Sequence, residues 1–566
     1  MSLNDDQIRA ILDAADDELS DGSEEDFISG DDSETEDANP SLLEEISSSS
    51  DSDEYDDQTE NSNVNVVTSR DGTNWSKIAP PKNCRRSACN TLLKAPGLTN
   101  YSKNIDTPLS AFKLLFDDTI LDIIINCSEK KAAQLNFPDW RLSKDLLQAF
   151  IGILITFGAT RSRKESLDSV WREDEPYVRP IFKATMGRDT FKEILRFIRT
   201  DDHETRSERR SQDKLAAIRE VWEIFTTNCQ KSLIPDANMC VDEQMVGFRG
   251  KCPFRVYMKS KPDRYGIKIW AICENPSGYI WKSQVYTGKI ASTPEKNQGK
   301  RVVLDLVEGL GQGYGVTCDN FFTSLDLARE LKSQSKTLLG TLRKIRKEVP
   351  KEMLPSKDRQ VNSSIFLFTQ DVTMVSYVPN KNRAVLLLST QHRDKDISTD
   401  EHSKPVMILD YNKTKGAVDS ADKMLKEYSM HRISRRWPFV LLSHIINVCC
   451  LNAFILFRKK HPDMKMTRKS FLKALGLEMV KPHIERRAAP PRIGLNKSIQ
   501  NAMQTVLGPL PDNRPAADLT SKKRGRCSMC TRDGDRKYSV RCSECSNFIC
   551  PTHTANTVTL CANCHE

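Results

Sequence analysis

Read for hydrophobic period alone, the chain changes character partway along. Between 91 and 236 apolar residues recur every three or four positions, in "SAFKLLFDDTILDIII" (110–125), "KDLLQAFIGILITF" (144–157), "DTFKEILRFIR" (189–199) and "KLAAIREVWEIF" (214–225). That spacing predicts amphipathic helices. The period then drops to two. Asn238–Val246 predicts a strand, and Tyr265–Cys273 and Tyr279–Tyr286, joined by the turn signal "NPSG", predict a hairpin. A helix with Val303, Leu306, Val307 and Leu310 on one face follows. After it come a short strand, "YGVTC" (314–318), a helix capped by Ser324, and a strand, "TLLGTLR" (337–343).

Three strands, helix, strand, helix, strand is the order of a ribonuclease H-like core, so the expected fold is multidomain α+β with that core over 237–345. Residues 346–405 interrupt it: "SSIFLFT", "VTMVSYV" and "AVLLLST" predict a small meander, a β-rich insertion domain. The core resumes over 406–428 and gives way to helices over 429–507, a second part of the helical domain begun at 91–236. Within them "FVLLSHIINVCCLNAFILF" (439–457) carries no formal charge over 19 residues. It is long enough to span a membrane, but Ser443, His444, Asn447 and Asn452 interrupt it, and a buried central helix is expected instead. A basic linker, 508–526, leads to a cysteine-rich end, 527–566.

Charge divides the chain more sharply than period does. Residues 1–60 hold 23 Asp/Glu and one Lys/Arg, a balance of −22, which leaves 83 Lys/Arg against 54 Asp/Glu, or +29, on the rest. An acidic, Ser-rich stretch with almost no aromatics cannot bury enough apolar surface to offset its ordering entropy, so 1–90 is expected to be disordered. The basic remainder suits a polyanion, nucleic acid first, although a merely solvated basic surface has the same composition. The N-terminus lacks the apolar run of a signal peptide.

Two aspartates three apart, Asp419 and Asp422 in "YNKTKGAVDSADKM" (411–424), would share one face of a helix. Asp242 lies within the first predicted core strand and Asp319 ends the fourth. Each alone reads as a turn or surface acid. Together they bring carboxylates from neighbouring elements of one sheet, the ligand type that Mg²⁺ prefers; a pair of such ions about 4 Å apart can clamp the attacking and leaving oxygens of a phosphodiester. Without cations the cluster would repel itself and raise its own pKa values.

The segments "DEQMVGFRG", "KPDRYGIKIW", "TCDNFFTSL", "GTLRKIRKEVP", "YNKTKGAVDSADKM" and "RRWP", with the terminal cysteine pattern, resemble the piggyBac transposases, in order and from about 105 to the C-terminus. The resemblance implies a DDE/D-type enzyme that moves DNA by cut and paste at TTAA targets: water releases a 3′-OH, a hairpin forms on the transposon end and is opened, and the 3′-OH joins target DNA. It implies that Asp242, Asp319 and Asp419 hold two divalent ions, magnesium or manganese, with Asp422 as an additional acid. It also implies a homodimer bound to double-stranded DNA through the helical domain. Trp437 falls on the family's tryptophan near the active site, where it would stack on an unpaired base or pack in the core. Arg343 and Arg346 fall in the family's basic segment and read as phosphate contacts or as solvated charges; Arg435 and Arg436 of "RRWP" join them as DNA-binding candidates. A domesticated DNA- or chromatin-binding protein without catalysis is the rival, and the presence of all four aspartates argues against it.

Seven of the 17 cysteines fall in the last 40 residues, in the order C-x2-C-x11-C-x2-C-x4-C-x2-H-x7-C-x2-C. Such gapped pairs point to two tetrahedral zinc ions in a cross-brace. Cys527, Cys530, Cys550 and His553 would hold one, and Cys542, Cys545, Cys561 and Cys564 the other. Ring-finger-like modules of this kind bind proteins, whereas the piggyBac resemblance implies a grip on terminal repeats. "KKRGR" (522–526) suits import into the nucleus or a phosphate-contacting arm.

The charge asymmetry makes one prediction. A tethered segment of −22 beside a body of +29 acts as an intramolecular competitor for the basic surface. Deleting residues 1–60 is expected to raise affinity for random duplex, most at low salt. A salt titration of full-length and truncated protein checks this, and overlapping curves at low salt would leave only a solubilising tail.

Overall fold

The computed structural model describes residues 65–81, 91–172, 178–259, 261, 263–288, 295–489, 495, 497–509, 524–530, 536–541 and 547–554. The chain forms two compact units, residues up to His483 and from Ile484 onward. The first is built on one sheet of eleven strands, and its fold is mixed α+β. In chain order the strands are β1 Val66–Thr68, β2 Asn74–Ser76, β3 Asn238–Gly247, β4 Arg255–Tyr257, β5 Tyr265–Glu274, β6 Ile280–Val285, β7 Gly315–Cys318, β8 Thr337–Thr341, β9 Ser364–Phe368, β10 Thr373–Asn380 and β11 Arg383–Ser389.

In the middle of the sheet β3 pairs parallel with β7, and β7 with β8, while β5 lies antiparallel on the other side of β3 and carries β6 and β4 on its far edge. Each parallel step is bridged by a helix, α1 Gln298–Val307 after β6 and α2 Leu325–Ser333 after β7. The second starts where Ser324 Oγ accepts from Leu327 N–H, as its N-cap position predicts. The "NPSG" turn between β5 and β6 closes through Gly278, whose φ of 75° favours glycine.

Two sequence boundaries change. The meander β9–β11, expected as an insertion, is joined to the core sheet, because β11 pairs antiparallel with β8. Its aromatics Phe366, Phe368 and Tyr377 share one buried cluster with Leu339 of β8 and with Met407, Ile408 and Tyr411 of α3, Val406–Thr414. Periodicity reports which residues are apolar, but not which edge will receive them. The expected disorder over 1–90 also fails for 65–81. There β1 and β2 form a hairpin that pairs with β9 at Ser76↔Phe368, and Trp75 is 0% exposed. The charge average across the N-terminal region hides this single large aromatic.

The helices before β3 surround the other core. The expected helix 110–125 is two, Pro108–Lys113 and Asp118–Gln134, because the Asp117 side chain accepts from Ile120 N–H and starts a new helix. The last runs from Arg219 to Ser232, with Leu215 N–H held by the Asp213 carboxylate in the turn before it.

The uncharged run lies in Trp437–Lys460, and 94% of its apolar window is buried inside the protein. Its polar residues all have partners. Asn452 donates to Ile280 O (2.8 Å) and accepts from Ile280 N–H (3.0 Å), acting as an extra strand against β6. Asn447 accepts from Met430 N–H (3.1 Å), and Ser443 donates to Phe439 O (2.9 Å). His444 stacks on Trp222 with centroids 6.3 Å apart, and burial lowers its pKa to about 4, so it sits neutral.

Trp75→Ala is expected to destabilise the hairpin end of the sheet by roughly 3–5 kcal/mol. Removing residues 1–64 is expected to leave the thermal midpoint unchanged, whereas removing 1–81 lowers it. Equal midpoints for the two truncations would show the hairpin to be dispensable.

Candidate active site and metal-binding groups

Two of the four predicted aspartates meet through strand register. Val241 of β3 pairs with Cys318 of β7 in parallel, so the next residues, Asp242 within β3 and Asp319 just past the end of β7, lie at the same level. The register is held from one face. Cys240 donates its S–H to the Lys415 carbonyl (2.9 Å), and Thr317, paired with Cys240, donates to Thr414 Oγ1 (2.8 Å). Two positions further along, strand period puts Asp242 and Asp319 on that same face, toward the junction between α3 and the next helix, α4, Ala417–Glu427.

The turn after β7 is built around Asp319. Its Oδ1 accepts from Phe321 N–H (3.0 Å), and its carbonyl accepts from Thr323 Oγ1 (2.7 Å). Thr323 can sit there only because residue 340 is glycine: a Cβ on Gly340 would lie 2.1 Å from Thr323 Oγ1. Asp242 Oδ1 accepts from its neighbour's N–H at Glu243 (2.7 Å).

Asp419 occupies the first turn of α4 and is exposed; Asp422 is one turn on, paired with Lys426 (2.8 Å). Both share the field of Lys261 with Asp242. Burial pulls the Lys261 ammonium down, but Glu243, Asp242, Asp419 and Asp422 outweigh it, and its pKa is raised. Burial, then the charges of Asp319 and Glu243, push Asp242 well above the usual carboxylate range. Burial and Glu243 push Asp319 up to about 6.

Glu243 was not singled out by sequence, although it stands directly beside Asp242. It is held between Lys268 (3.5 Å) and Lys261 (3.8 Å), and Lys268 also lies over the Phe321 ring at 5.1 Å. The adjacent acidic pair Asp242–Glu243 was the available signal.

The aspartates form a neighbourhood rather than a closed cage. Among the described residues, the group whose ligand atoms converge within 4.8 Å is Cys527, Cys530, Cys550 and His553. Bringing three carboxylates equally close would incur Coulomb repulsion that only a shared cation offsets. Protonation-prone carboxylates buried side by side, with further acids in reach, suit a divalent cation. In the second unit the cysteine group has Cys530 Sγ and Cys550 Sγ 3.7 Å apart, with His553 Nδ1 at 3.2–3.7 Å from the three sulfurs. A tetrahedron with metal–sulfur bonds of about 2.3 Å has edges of about 3.8 Å, so the four atoms fit one zinc-sized ion. Cys542, Cys545, Cys561 and Cys564 lie outside the described residues.

The predicted DNA-contact residues separate. Arg343 stands at the site: its Nε donates to Asn320 Oδ1 (3.2 Å), its guanidinium faces Phe321 at 6.0 Å, and its charge lowers the pKa of Asp319. Arg346 is half-buried, and its carbonyl, with that of Ile345, accepts from Arg70 in the β1–β2 turn (3.2 and 2.9 Å). Arg435 is exposed. Arg436 donates to the Ile198 carbonyl (3.1 Å) and to the Leu195 carbonyl, satisfying the end of the helix Arg188–Phe197. A guanidinium spent on backbone carbonyls is structural, and a twin-arginine motif does not reveal which of the two is so engaged. Trp437 starts the long helix and meets Phe254 edge-on, with centroids 4.9 Å apart.

A cavity of about 320 Å³ opens at the opposite ends of the strands, lined by Asn238, Gly315, Asp410 and Lys413. It touches none of the four aspartates.

The mixed sheet thus brings Asp242 and Asp319 side by side from two parallel strands, with Asp419 on the helix α4. Residues 107–454, more than half of the chain, match the family described as Transposase IS4, and the chain belongs to that family, in its piggyBac type. Among solved structures, the cryo-EM structure of a piggyBac transposase synaptic complex with hairpin DNA matches with a TM-score of 0.70 at 31% identity, over 83% of this chain and 100% of that one. PiggyBac transposable element-derived protein 3 of Homo sapiens is 24% identical over 460 residues, 78% of this chain and 74% of its own length. PiggyBac transposable element-derived protein 2 of Homo sapiens is 23% identical over 372 residues, 62% of each.

The raised carboxylates set a pH dependence. Without divalent ions the folded chain binds the Asp319 proton more tightly than the unfolded chain, whose aspartates titrate near 3.9. Stability contributed by this group is therefore complete at low pH and is lost as pH rises toward about 6. Asp319→Asn is expected to melt a few degrees above wild type at pH 7 without magnesium, and the gap should close at pH 4. Magnesium should raise the wild-type midpoint at pH 7 and leave the variant unmoved. A wild-type midpoint that gains on the variant between pH 4 and pH 7 would overturn the assignment.

Proposed function

We propose that this protein is a DNA transposase that excises and integrates a piggyBac-like element by cut and paste at TTAA sites. Its sheet is read as a ribonuclease H-like core, since the central strands run in the order β6-β5-β3-β7-β8 with β3, β7 and β8 parallel. The observation that carries the reading is the juxtaposition of Asp242, within β3, and Asp319, just past the end of the parallel neighbour β7, in a chain of this family.

Asp242, Asp319 and Asp419 would hold the divalent cations, with Asp422 beside them. Those ions supply Lewis-acid stabilisation of charge on the phosphodiester oxygens. The chain's own residues then do the positioning. Arg343, beside Asp319, offers a planar pair of donors to a phosphate, and Lys261 and Lys268 pair with Glu243 next to the cluster. In the first step water displaces a 3′ oxygen at phosphorus and frees a 3′-OH. That hydroxyl next attacks the opposite strand, leaving a hairpin end and releasing the flanking DNA as leaving group. Water reopens the hairpin, and the regenerated 3′-OH attacks target DNA. A DNA hairpin is what the related synaptic complex carries.

Processing two ends together asks for a homodimer, and DNA as substrate asks for a nuclear location. The Cys₃His group is read as one of two structural zinc sites of a module that grips the terminal repeats.

The second reading is a domesticated DNA- or chromatin-binding protein without catalysis, because two human relatives are named transposable element-derived proteins. The two readings separate on excision from a donor carrying the cognate ends. Asp242→Ala, Asp319→Ala and Asp419→Ala are each expected to abolish nicking and strand transfer while folding and end binding persist; Asp422→Ala, which has Lys426 as partner, is expected to be milder. Near-normal excision by any of the three would remove that residue from the site. Wild-type binding without excision on cognate ends would favour the domesticated protein.

A further inference from the structure

The strand that carries Asp242 runs on into an exposed aromatic hairpin that the proposed chemistry leaves unused. Beyond Gly247↔Gly266, β5 continues against β4, pairing Tyr257 with Tyr265. Both rings face solvent, 53% and 44% exposed, with centroids 4.9 Å apart and planes at 51°. Large aromatics at a sheet edge ordinarily bury at least one face. Here the guanidinium of Arg255 lies over the Tyr265 ring at 5.6 Å and is itself fixed by the Arg249 and Gly250 carbonyls (2.9 and 3.0 Å).

Charge selects the occupant. Residues 247–265 contain six Lys/Arg and one carboxylate, Asp263. An apolar peptide or a lipid tail would gain nothing from such a rim, whereas a nucleic-acid strand brings phosphates for the cations and bases for the rings. Intact duplex hides its base faces, so the rings are useful only where bases are unpaired. Position agrees. Asp242 pairs with Ala271, six residues along β5 from Tyr265, so the platform stands about 20 Å from the carboxylates along the ladder. The same hairpin reaches the start of the long helix, where Phe254 meets Trp437 and Gly250 lies against the Arg435 carbonyl.

We propose that Tyr257 and Tyr265 form a stacking platform for an unpaired nucleobase of DNA engaged at the carboxylate site, with Arg255 holding the platform rigid. The inference rests on the reading of the protein as a DNA transposase. The platform would favour DNA whose strands are opened near the reaction point.

Full-length protein, without added magnesium or manganese, is titrated with two duplexes of one sequence. One is intact, and one carries a fluorescent adenine analogue inside a short unpaired bubble. Wild type is expected to bind the bubble about tenfold more tightly and to quench the analogue. The Tyr257→Thr/Tyr265→Thr double variant keeps β-branched residues in the strands, and should retain its thermal midpoint and intact-duplex affinity while losing both the preference and the quench. Tyr257→Phe/Tyr265→Phe should keep both. A wild type that binds both duplexes equally without quenching overturns the platform and leaves the transposase reading standing, as does a folded threonine variant that keeps the preference. A wild type that binds neither duplex overturns the transposase reading and the platform together.

Discussion

The parallel pairing of Val241 with Cys318 is the constraint on which the rest of the molecule turns. Strand side chains alternate, so a slip by one residue would send Asp242 to the opposite face while Asp319 stayed. The register is protected on both faces of β3. Met239 and Val241 are buried on one, and Cys240 is locked by the Lys415 carbonyl on the other. Holding two half-buried carboxylates side by side is unfavourable, as their raised pKa values record. The surrounding sheet therefore over-determines an arrangement that the acids alone would not choose.

The long helix Trp437–Lys460 serves the same end from a distance. Its apolar surface buries it, but its polar side chains fix what lies beside it. Asn452 takes both main-chain groups of Ile280 at the start of β6, and Asn447 takes the amide of Met430, shortly after α4. Both segments lead to the carboxylates, one through β5 and the other through Asp419. Because a buried amide without a partner costs about 1–3 kcal/mol, each asparagine specifies position as well as contributing stability. A hydrocarbon environment could not supply those partners, which is why the run is a core helix despite its length.

These features were unequally legible in the sequence. The five central strands and their two bridging helices follow from period and turn chemistry, since both are local properties; Asp242 lies in β3, Asp319 just past β7, and Asp419 and Asp422 on α4. What could not be read is non-local. The meander's place at the edge of β8 depends on Leu387 meeting Thr341, far apart in sequence. The hairpin around Trp75 depends on β9, and the role of Arg436 depends on a helix end more than two hundred residues earlier. Glu243 was visible but indistinguishable from a solvated acid until Lys261 and Lys268 were brought to it by folding.

The two metal-binding groups then follow opposite physical logics. Asp242 and Asp319 are carried by a preformed sheet whose core owes nothing to a cation, and Lys261 and Arg343 already offset part of their charge. Such a site can fold first and bind afterwards, and exchanging its ions need not disturb the fold. The described residues of the cysteine module show no comparable core. Among its described residues between 524 and 554, the buried ones are two of the proposed ligands themselves, Cys527 and Cys550. For so short a segment, ligand bonds have to replace hydrophobic burial, so there metal binding and folding are one event. If the proposed ions occupy the two sites, a chelator strong enough for zinc would unfold the module and leave the sheet standing, whereas stripping divalent ions from the carboxylates would unfold neither.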